Sequence, residues 1–322
     1  MIGALRSIVM LNMVGAWLLL TPPAIAEDIS KTPWGVPDLQ GIWTNATATP
    51  LERPDEYANT EVLSEAQRSQ LGEAVLEKYG KGGREAWFDL GLKALSNGQT
   101  SLIIHPKNGK IPWKTDIKKT TSLSGKSYFP WETTAPGAPF RSYRDLDTGE
   151  RCITDGVGIY PQHPYNNNFQ IFQTDTDIMM VYQFAGAVRT VYMSNHMNAP
   201  IDSWMGWSNG RWEEDTLVIE VSGLNPNWLD RTGNFYTSAA KITERYTLLT
   251  PYHLNYEATV EDPDVYEEPW TISMPLYKKV EENARLFEFK CAEFAEELMY
   301  SHLSRDNYFR NLGIDISGDS DD

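Results

Sequence analysis

From residue 165 onward, hydrophobic and polar residues alternate in short runs that are separated by turn sequences. Successive side chains on a strand point to opposite faces, so this alternation is typical of strands that bury one face. Turn residues such as Thr174–Asp177, Ser208–Gly210 and Asp262–Asp264 separate the runs. The pattern predicts strands at residues 168–174, 178–184, 187–193, 215–221, 241–249, 253–261, 270–277 and 285–291.

These strands predict a mainly β fold with a helical insertion, in which an antiparallel meander closes into a lipocalin-like β-barrel. A two-sheet β-sandwich is the alternative, because the same strand spacing suits both folds. We favour the barrel, since the strands are rich in Tyr, Phe, Trp and Met. Such side chains suit the lining of a cavity for an apolar ligand.

The chain before the meander has a different pattern. A first strand is predicted at 39–43, a helix after Ser64, a second helix at 84–95 and a short strand at 101–104. We expect residues 27–100 to form the N-terminal strand and a helical insertion. Residues 101–311 would then form the barrel core with a C-terminal helix at 292–311, and residues 312–322 a disordered acidic tail.

The first 26 residues have the pattern of a cleavable signal peptide. Arg6 precedes an apolar run at 8–20, and Ala24-Ile25-Ala26 is a small-x-small cleavage sequence. The apolar run is shorter than the roughly 20 residues of a membrane-spanning helix. We therefore predict a periplasmic or secreted protein with no stable membrane insertion after cleavage. An uncleaved N-terminal anchor is the alternative.

The formal net charge of −16 argues against nucleic acid as a partner, because nucleic-acid binding requires a basic surface. No helical His-x-x-x-His pair, Walker motif or dinucleotide fingerprint occurs in the sequence. We therefore expect no metal and no cofactor. The two cysteines, Cys152 and Cys291, predict one disulfide in an oxidising compartment, with a pair of free buried thiols as the alternative.

Glu244 is the strongest catalytic candidate. In the strand at 241–249 it shares a face with Ile242 and Tyr246, so it would lie inside the barrel if the apolar faces do. A buried carboxylate is suited to proton transfer. We consider Arg189 or Arg245 as its catalytic partner. The alternatives are a structural ion pair with an arginine such as Arg189, or a position at the barrel mouth.

Other residues are candidates for ligand binding. The run Tyr165-Asn166-Asn167-Asn168 offers amide donors and acceptors that could bind a polar group at the rim of a cavity, although a turn would use asparagines equally well. Tyr246, Tyr256 and Trp270 could line the cavity. The many tryptophans of the second half could instead stack on sugars or simply fill the core.

Several strings of the sequence occur together in a known family. They are Leu39-Gln40-Gly41-Ile42-Trp43, Thr100-Ser101-Leu102-Ile103, Glu150-Arg151-Cys152-Ile153, Tyr165-Asn166-Asn167-Asn168, Gly210-Arg211-Trp212-Glu213 with Asp215-Thr216-Leu217-Val218, Thr243-Glu244-Arg245 and Asp262-Pro263 with Pro269-Trp270-Thr271. Through them the chain resembles a family of uncharacterised secreted bacterial proteins. The resemblance implies a shared fold and a Cys152–Cys291 pairing, but no activity. The Gly41-x-Trp43 string is also similar to the opening of lipocalin-type barrels.

The leading hypothesis is an exported barrel that binds a small, largely apolar molecule and could convert it without a metal. A secreted carbohydrate-active or carbohydrate-binding protein is the first alternative, and a structural envelope protein is the second. Whether the protein is an enzyme and how many copies assemble cannot be read from the sequence.

Overall fold

The computed structural model describes residues 29–79, 89–117, 153–154, 156–157, 166–229 and 234–289. The predicted signal peptide, C-terminal helix and acidic tail lie outside these residues. Tyr165, Cys152 and Cys291 also lie outside them, so the disulfide stays a prediction. None of the helices in the described part of the chain has the length and apolarity that a bilayer crossing requires.

The described chain consists mainly of strands. They are β1 Gly41–Thr44, β2 Ile103–His105, β3 Asn168–Gln173, β4 Asp177–Tyr182, β5 Val188–Tyr192, β6 Trp207–Glu213, β7 Thr216–Ser222, β8 Asn227–Trp228, β9 Phe235–Tyr236, β10 Lys241–Thr250, β11 His253–Glu261 and β12 Trp270–Lys278. Helix α1 is Glu65–Tyr79, and short 3-10 helices occupy Asp55–Tyr57, Leu92–Asn97 and Phe184–Gly186.

Nine of the described strands form a closed barrel in the order β1-β3-β4-β5-β6-β7-β10-β11-β12, and the barrel closes where Trp43 of β1 pairs with Lys278 of β12. The predicted barrel is therefore confirmed. Strand β2 pairs with β12 as an addition to the barrel, while β8 and β9 form a separate two-stranded sheet.

The barrel interior is filled by the inward side chains of its strands. Buried and less buried residues alternate along β10, β11 and β12, as expected for strands with one face against a core. Large fully buried side chains include Trp43, Phe169, Ile171, Ile178, Tyr246, Tyr256 and Trp270. A barrel of this size is just wide enough for its own side chains to fill it.

The predicted meander omits strand β6 and is wrong about the sheet being entirely antiparallel. Ser208-Asn209-Gly210 was predicted as a turn, but these residues lie inside β6, which pairs in parallel with β5. Ser208 is buried, and Gly210 lets the side chain of Met193 approach closely, since a Cβ at this position would lie 2.5 Å from its sulfur. The turn lies further on, where Glu214 has a positive φ of 53°.

The strand predicted at 285–291 is wrong over its described residues, 285–289, which are not in a strand. One edge of β12 pairs with β11, and the other pairs with both β1 and β2. The sheet therefore has no free edge beside β12 for a further strand. Of the helix predicted at 84–95, only residues 89–95 are described. These residues contain the start of a 3-10 helix, at Leu92.

The helix predicted after Ser64 is present as α1. Its start is a capping box, because the backbone nitrogen of Gln67 donates to Ser64 Oγ (3.4 Å) and the backbone nitrogen of Ser64 donates to Gln67 Oε1 (2.9 Å). Arg68 of the helix donates to the backbone oxygen of Ser96, beside the 3-10 helix. Helix α1 and the 3-10 helix Leu92–Asn97, which both lie between β1 and β2 in the sequence, are therefore in contact.

Candidate functional site

Glu244 lies in the barrel interior, as the alternation of β10 predicts. Its inward neighbours on the strand are Ile242 and Tyr246, and its own exposure is 0%. A carboxylate in such a place is expensive to bury unless a positive charge and hydrogen-bond donors compensate it.

Arg189 supplies that positive charge. It points inward from β5, and its Nη2 donates to Glu244 Oε2, so the two side chains form a buried ion pair. Arg189 Nε also donates to Ser208 Oγ at 2.8 Å. Its Nη1 is buried and has no hydrogen-bond partner among the residues that the structure describes. The ion pair that the sequence left as the alternative role of Glu244 is thus present.

Two tyrosines form hydrogen bonds with the other oxygen of the carboxylate. The hydroxyls of Tyr246 and Tyr256 donate to Glu244 Oε1 at 3.1 and 2.9 Å. The two tyrosines are direct partners across β10 and β11, with ring centroids 4.9 Å apart. Both oxygens of Glu244 are therefore engaged in the barrel interior.

Arg189 and Tyr246 each have a shifted pKa in this cluster. Although burial alone lowers the pKa of the Arg189 guanidinium, the adjacent Glu244 carboxylate raises it well above its ordinary value. Burial raises the pKa of the Tyr246 phenol well above its ordinary value, and the charge of Glu244 adds to this effect. Arg189 stays charged and Tyr246 stays protonated at neutral pH, which is the pattern of a fixed polar network.

The structure does not bring Arg245 to this cluster. Arg245 points to the outer face of β10, where its Nη1 lies 2.8 Å from Glu213 Oε2 and its side chain is 39% exposed. Arg211 lies 2.8 Å from Glu213 Oε1 on the same face, and the strand partner of both arginines is the buried Val218. Arg245 therefore belongs to a surface network that covers Val218.

Trp270 is buried in the core but is not part of the cluster. It lies at the start of β12 opposite Val260 and packs edge-on against Tyr266, with ring centroids 5.7 Å apart. Tyr256 pairs with Met274, four residues further along β12, which corresponds to about 13 Å of strand.

Of the predicted asparagine run, Asn166, Asn167 and Asn168 are described. They lie at one end of the barrel, where β3 begins and β4 ends. Gln183, which the sequence did not single out, links them: Asn168 Nδ2 donates to Gln183 Oε1 at 2.7 Å, and Gln183 Nε2 donates to Asn166 Oδ1 at 3.1 Å.

The asparagines line a small depression, which we call the amide pocket. Its cavity volume is about 20 Å³, enough for about one water molecule. Its described lining consists of Asn45, Thr154, Gly156, Asn166, Asn167, Asn168, Tyr182 and Phe184. The structure thus brings the three described asparagines together around one concave site.

Tyr182 connects the amide pocket with the ion pair. Its side chain lines the pocket, and its hydroxyl lies 3.6 Å from the sulfur of Met180. The hydroxyl of Tyr246 lies 4.0 Å from the same sulfur. Alternation along β4 could have identified Tyr182, since it shares the inward face with Ile178 and Met180. The sequence does not identify Ser208 in this way, because it is followed by Asn209 and Gly210, which are typical turn residues.

Within the described residues, His, Cys, Asp and Glu side chains form no group of three or more that could hold a metal ion. In comparisons with known proteins, the chain matches no family model, no curated protein and no solved structure. The resemblance drawn from the sequence strings therefore stays a prediction.

Proposed function

We propose that this chain is an exported β-barrel protein that binds a small, largely apolar molecule, of which only a polar end group enters the amide pocket. The observation that carries the proposal is the composition of this pocket. Polar amide groups and two aromatic rings, those of Tyr182 and Phe184, meet at the open end of a barrel whose other inward surfaces are packed. Pockets that bind small molecules combine apolar walls with a few placed polar groups in this way.

Binding is better supported than chemical conversion. Both oxygens of Glu244 are engaged by Arg189 and by two tyrosine hydroxyls. A general base must come within hydrogen-bond reach of the substrate proton, whereas Glu244 is fully buried and is not among the described lining residues of the amide pocket. We therefore assign the Glu244 cluster a supporting role. Glu244 positions Tyr246, and Tyr246 contacts Met180, which in turn contacts Tyr182.

A structural envelope protein is the second candidate, and the filled barrel interior favours it. The carbohydrate alternative gains less support. Trp270 is buried in the core, and Trp204, Trp207 and Trp212 are half-buried. Tryptophans in such positions favour core filling over a platform for sugar rings.

Native mass spectrometry of the protein expressed with residues 1–26 and purified from its own periplasm tests the proposal. We expect a chain that lacks these residues and carries a bound small molecule. Asn168→Leu, which removes a pocket amide, should lose that molecule. Asn255→Leu is the matched control, because Asn255 alternates with the buried Leu254 and Tyr256 on the outer face of β11. A bare wild-type chain, or equal occupancy in Asn168→Leu, would contradict ligand binding at this site.

A further inference from the structure

The outer face of β3, β4 and β5 carries a group of exposed apolar side chains, which we call the apolar wall. Phe172, Met179 and Val188 are 41%, 40% and 54% exposed, and the half-buried Val181 completes the group. Phe172 is the direct strand partner of Met179, and Val181 is that of Val188. The four side chains therefore lie side by side on one surface. Clustered apolar side chains on a surface mark a site of interaction.

The immediate neighbours of the apolar wall are uncharged. Gln170 pairs with Val181, and Thr190 pairs with Met179. The outer face of β6, β7 and β10 is different, because Arg211 and Arg245 form salt bridges with glutamates there. A protein with a net charge of −16 thus has one side of its barrel wall that is apolar. Such a surface favours an apolar occupant over a charged one.

The described residues end beside the apolar wall. After β12, the backbone nitrogen of Lys279 donates to the backbone oxygen of Ile42 in β1 at 2.8 Å. Further along the chain, Phe289 packs against Phe184, with ring centroids 5.4 Å apart. Phe184 lies in the turn between β4 and β5, which leads into Val188. The chain therefore runs from β1 to the turn that joins two strands of the apolar wall, and residues 290–322 continue from there.

The sequence predicts that the C-terminal helix at 292–311 is amphipathic. Three- and four-residue spacing places a group of apolar side chains on one face, namely Phe294, Ala295, Leu298, Met299 and Leu303. The opposite face is acidic, with Glu293, Glu296 and Glu297. A helix of this kind must bury its apolar face against another apolar surface to be stable in water.

The predicted helix is long enough, and begins close enough, to cover the apolar wall. A helix over 292–311 would be about 30 Å long. The three residues from Phe289 to its start can span about 10 Å. The turn that Phe289 contacts leads directly into β5, so the helix can lie across β3, β4 and β5 without moving the described part of the chain.

We propose that residues 292–311 form a helix that packs its apolar face on the apolar wall and leaves its acidic face in solvent. The occupant of the wall is thus the C-terminal segment of the same chain. This inference does not depend on the proposed function, because it concerns the outside of the barrel and not the amide pocket.

Methionine oxidation by hydrogen peroxide tests the proposal on the full mature chain, with mass spectrometry of the peptides as the measurement. Met179 lies in the apolar wall and Met197 in the loop after β5, and their exposures of 40% and 45% are similar. Without a cover, both should be oxidised at similar rates. A helix that is docked in about nine of ten molecules should slow the oxidation of Met179 about tenfold relative to Met197.

Substitutions on the two faces of the helix show whether the helix gives this protection. Leu298→Asp places a charge on the apolar face and should raise the oxidation rate of Met179 to that of Met197. Glu297→Gln is the matched control on the acidic face and should leave Met179 protected. If Leu298→Asp does not fold, Leu303→Asp makes the same change further along the apolar face.

A photo-crosslinker identifies what covers the wall. The residue p-benzoylphenylalanine in place of Val188 should crosslink to residues 292–311 of the same chain. In place of Leu249, which is 60% exposed on β10, it should not. Equal oxidation of Met179 and Met197 would overturn the proposal. A crosslink between two chains, with protection that rises with protein concentration, would mean that a second copy covers the wall and would also overturn it.

Discussion

Arg189 and Glu244 form an ion pair inside the barrel, although 55 residues separate them in the sequence. Their side chains are 2% and 0% exposed. Two strands of the barrel wall, β6 and β7, lie between β5, which carries Arg189, and β10, which carries Glu244. The desolvation cost of burying two charges is offset only where their geometry and further hydrogen bonds are good, and Ser208, Tyr246 and Tyr256 supply those bonds.

Glu244→Gln should lower the free energy of unfolding by about 3–5 kcal/mol, because it leaves the Arg189 guanidinium buried without its counter-charge. Urea denaturation at neutral pH measures the change. In a double-mutant cycle, Arg189→Met combined with Glu244→Gln should cost less than the sum of the single changes, with a coupling free energy of about 1–3 kcal/mol.

The outer ion pair between Arg245 of β10 and Glu213 of β6 is the control. Glu213→Gln removes the partner of Arg245, and both of these side chains are about 40% exposed. We expect a loss of at most about 1 kcal/mol. Equal effects of Glu244→Gln and Glu213→Gln would contradict a buried, uncompensated charge in the barrel interior.

Tyr256→Phe removes one of the two hydroxyl donors to Glu244 Oε1. Hydrogen bonds to charged groups contribute about 1.5–3 kcal/mol, so the free energy of unfolding should fall by that amount. Tyr252→Phe is the matched control, because Tyr252 is 46% exposed, and its change should stay within about 0.5 kcal/mol. Chemical denaturation of both variants measures the two changes. An unchanged free energy of unfolding in Tyr256→Phe would show that the hydroxyl does not stabilise the carboxylate.

The sequence predicts the faces of the long strands well. Strict alternation places Glu244, Tyr246 and Tyr256 inside, because each strand must bury its apolar side. Alternation along one strand does not determine which distant residue it faces. The pairing with Arg189 depends on barrel closure and on the stagger of every strand between them, which local sequence does not encode.

Strand β6 and the amide pocket show where local signals fail. Ser208-Asn209-Gly210 has the composition of a turn, but here Ser208 binds Arg189 and Gly210 admits Met193. The tertiary contacts therefore override the local preference. Asn45 lies more than 100 residues before Asn168, so only the pairing of β1 with β3 brings the two amides to one pocket.

Gly91 should tolerate no side chain, because two separate effects coincide there. Its φ is +62°, and a Cβ would lie 2.2 Å from the backbone nitrogen of Thr47. Gly186 has nearly the same φ, +63°, with nothing within 4 Å of a Cβ. Gly186→Ala should cost about 1–2 kcal/mol for the left-handed backbone alone, and Gly91→Ala about 1–3 kcal/mol more. Thermal and urea unfolding of the two variants measure the difference, and equal losses would contradict the close contact between the helical insertion and the chain after β1.

Tyr236 should make the protein less stable at alkaline pH. Burial raises the pKa of its phenol from 10.0 to about 12. Below pH 10 the phenol is protonated in both the folded and the unfolded state, and its contribution to stability is fully present. Above this value the unfolded state loses the proton while the folded state keeps it, so folding becomes less favourable as pH rises. The contribution should fall by about 1.4 kcal/mol per pH unit until the pH reaches the folded pKa.

Comparison of wild type with Tyr236→Phe isolates this effect from the other groups that titrate in the same range. Urea unfolding is measured between pH 9 and about pH 11. The stability of Tyr236→Phe should decline less steeply with pH, because this variant lacks the phenol whose pKa differs between the folded and unfolded states. Tyr252→Phe removes an exposed phenol and should keep the wild-type decline. Parallel declines in all three proteins would mean that the Tyr236 phenol titrates alike in the folded and unfolded chains, and that β9 does not shield it from solvent.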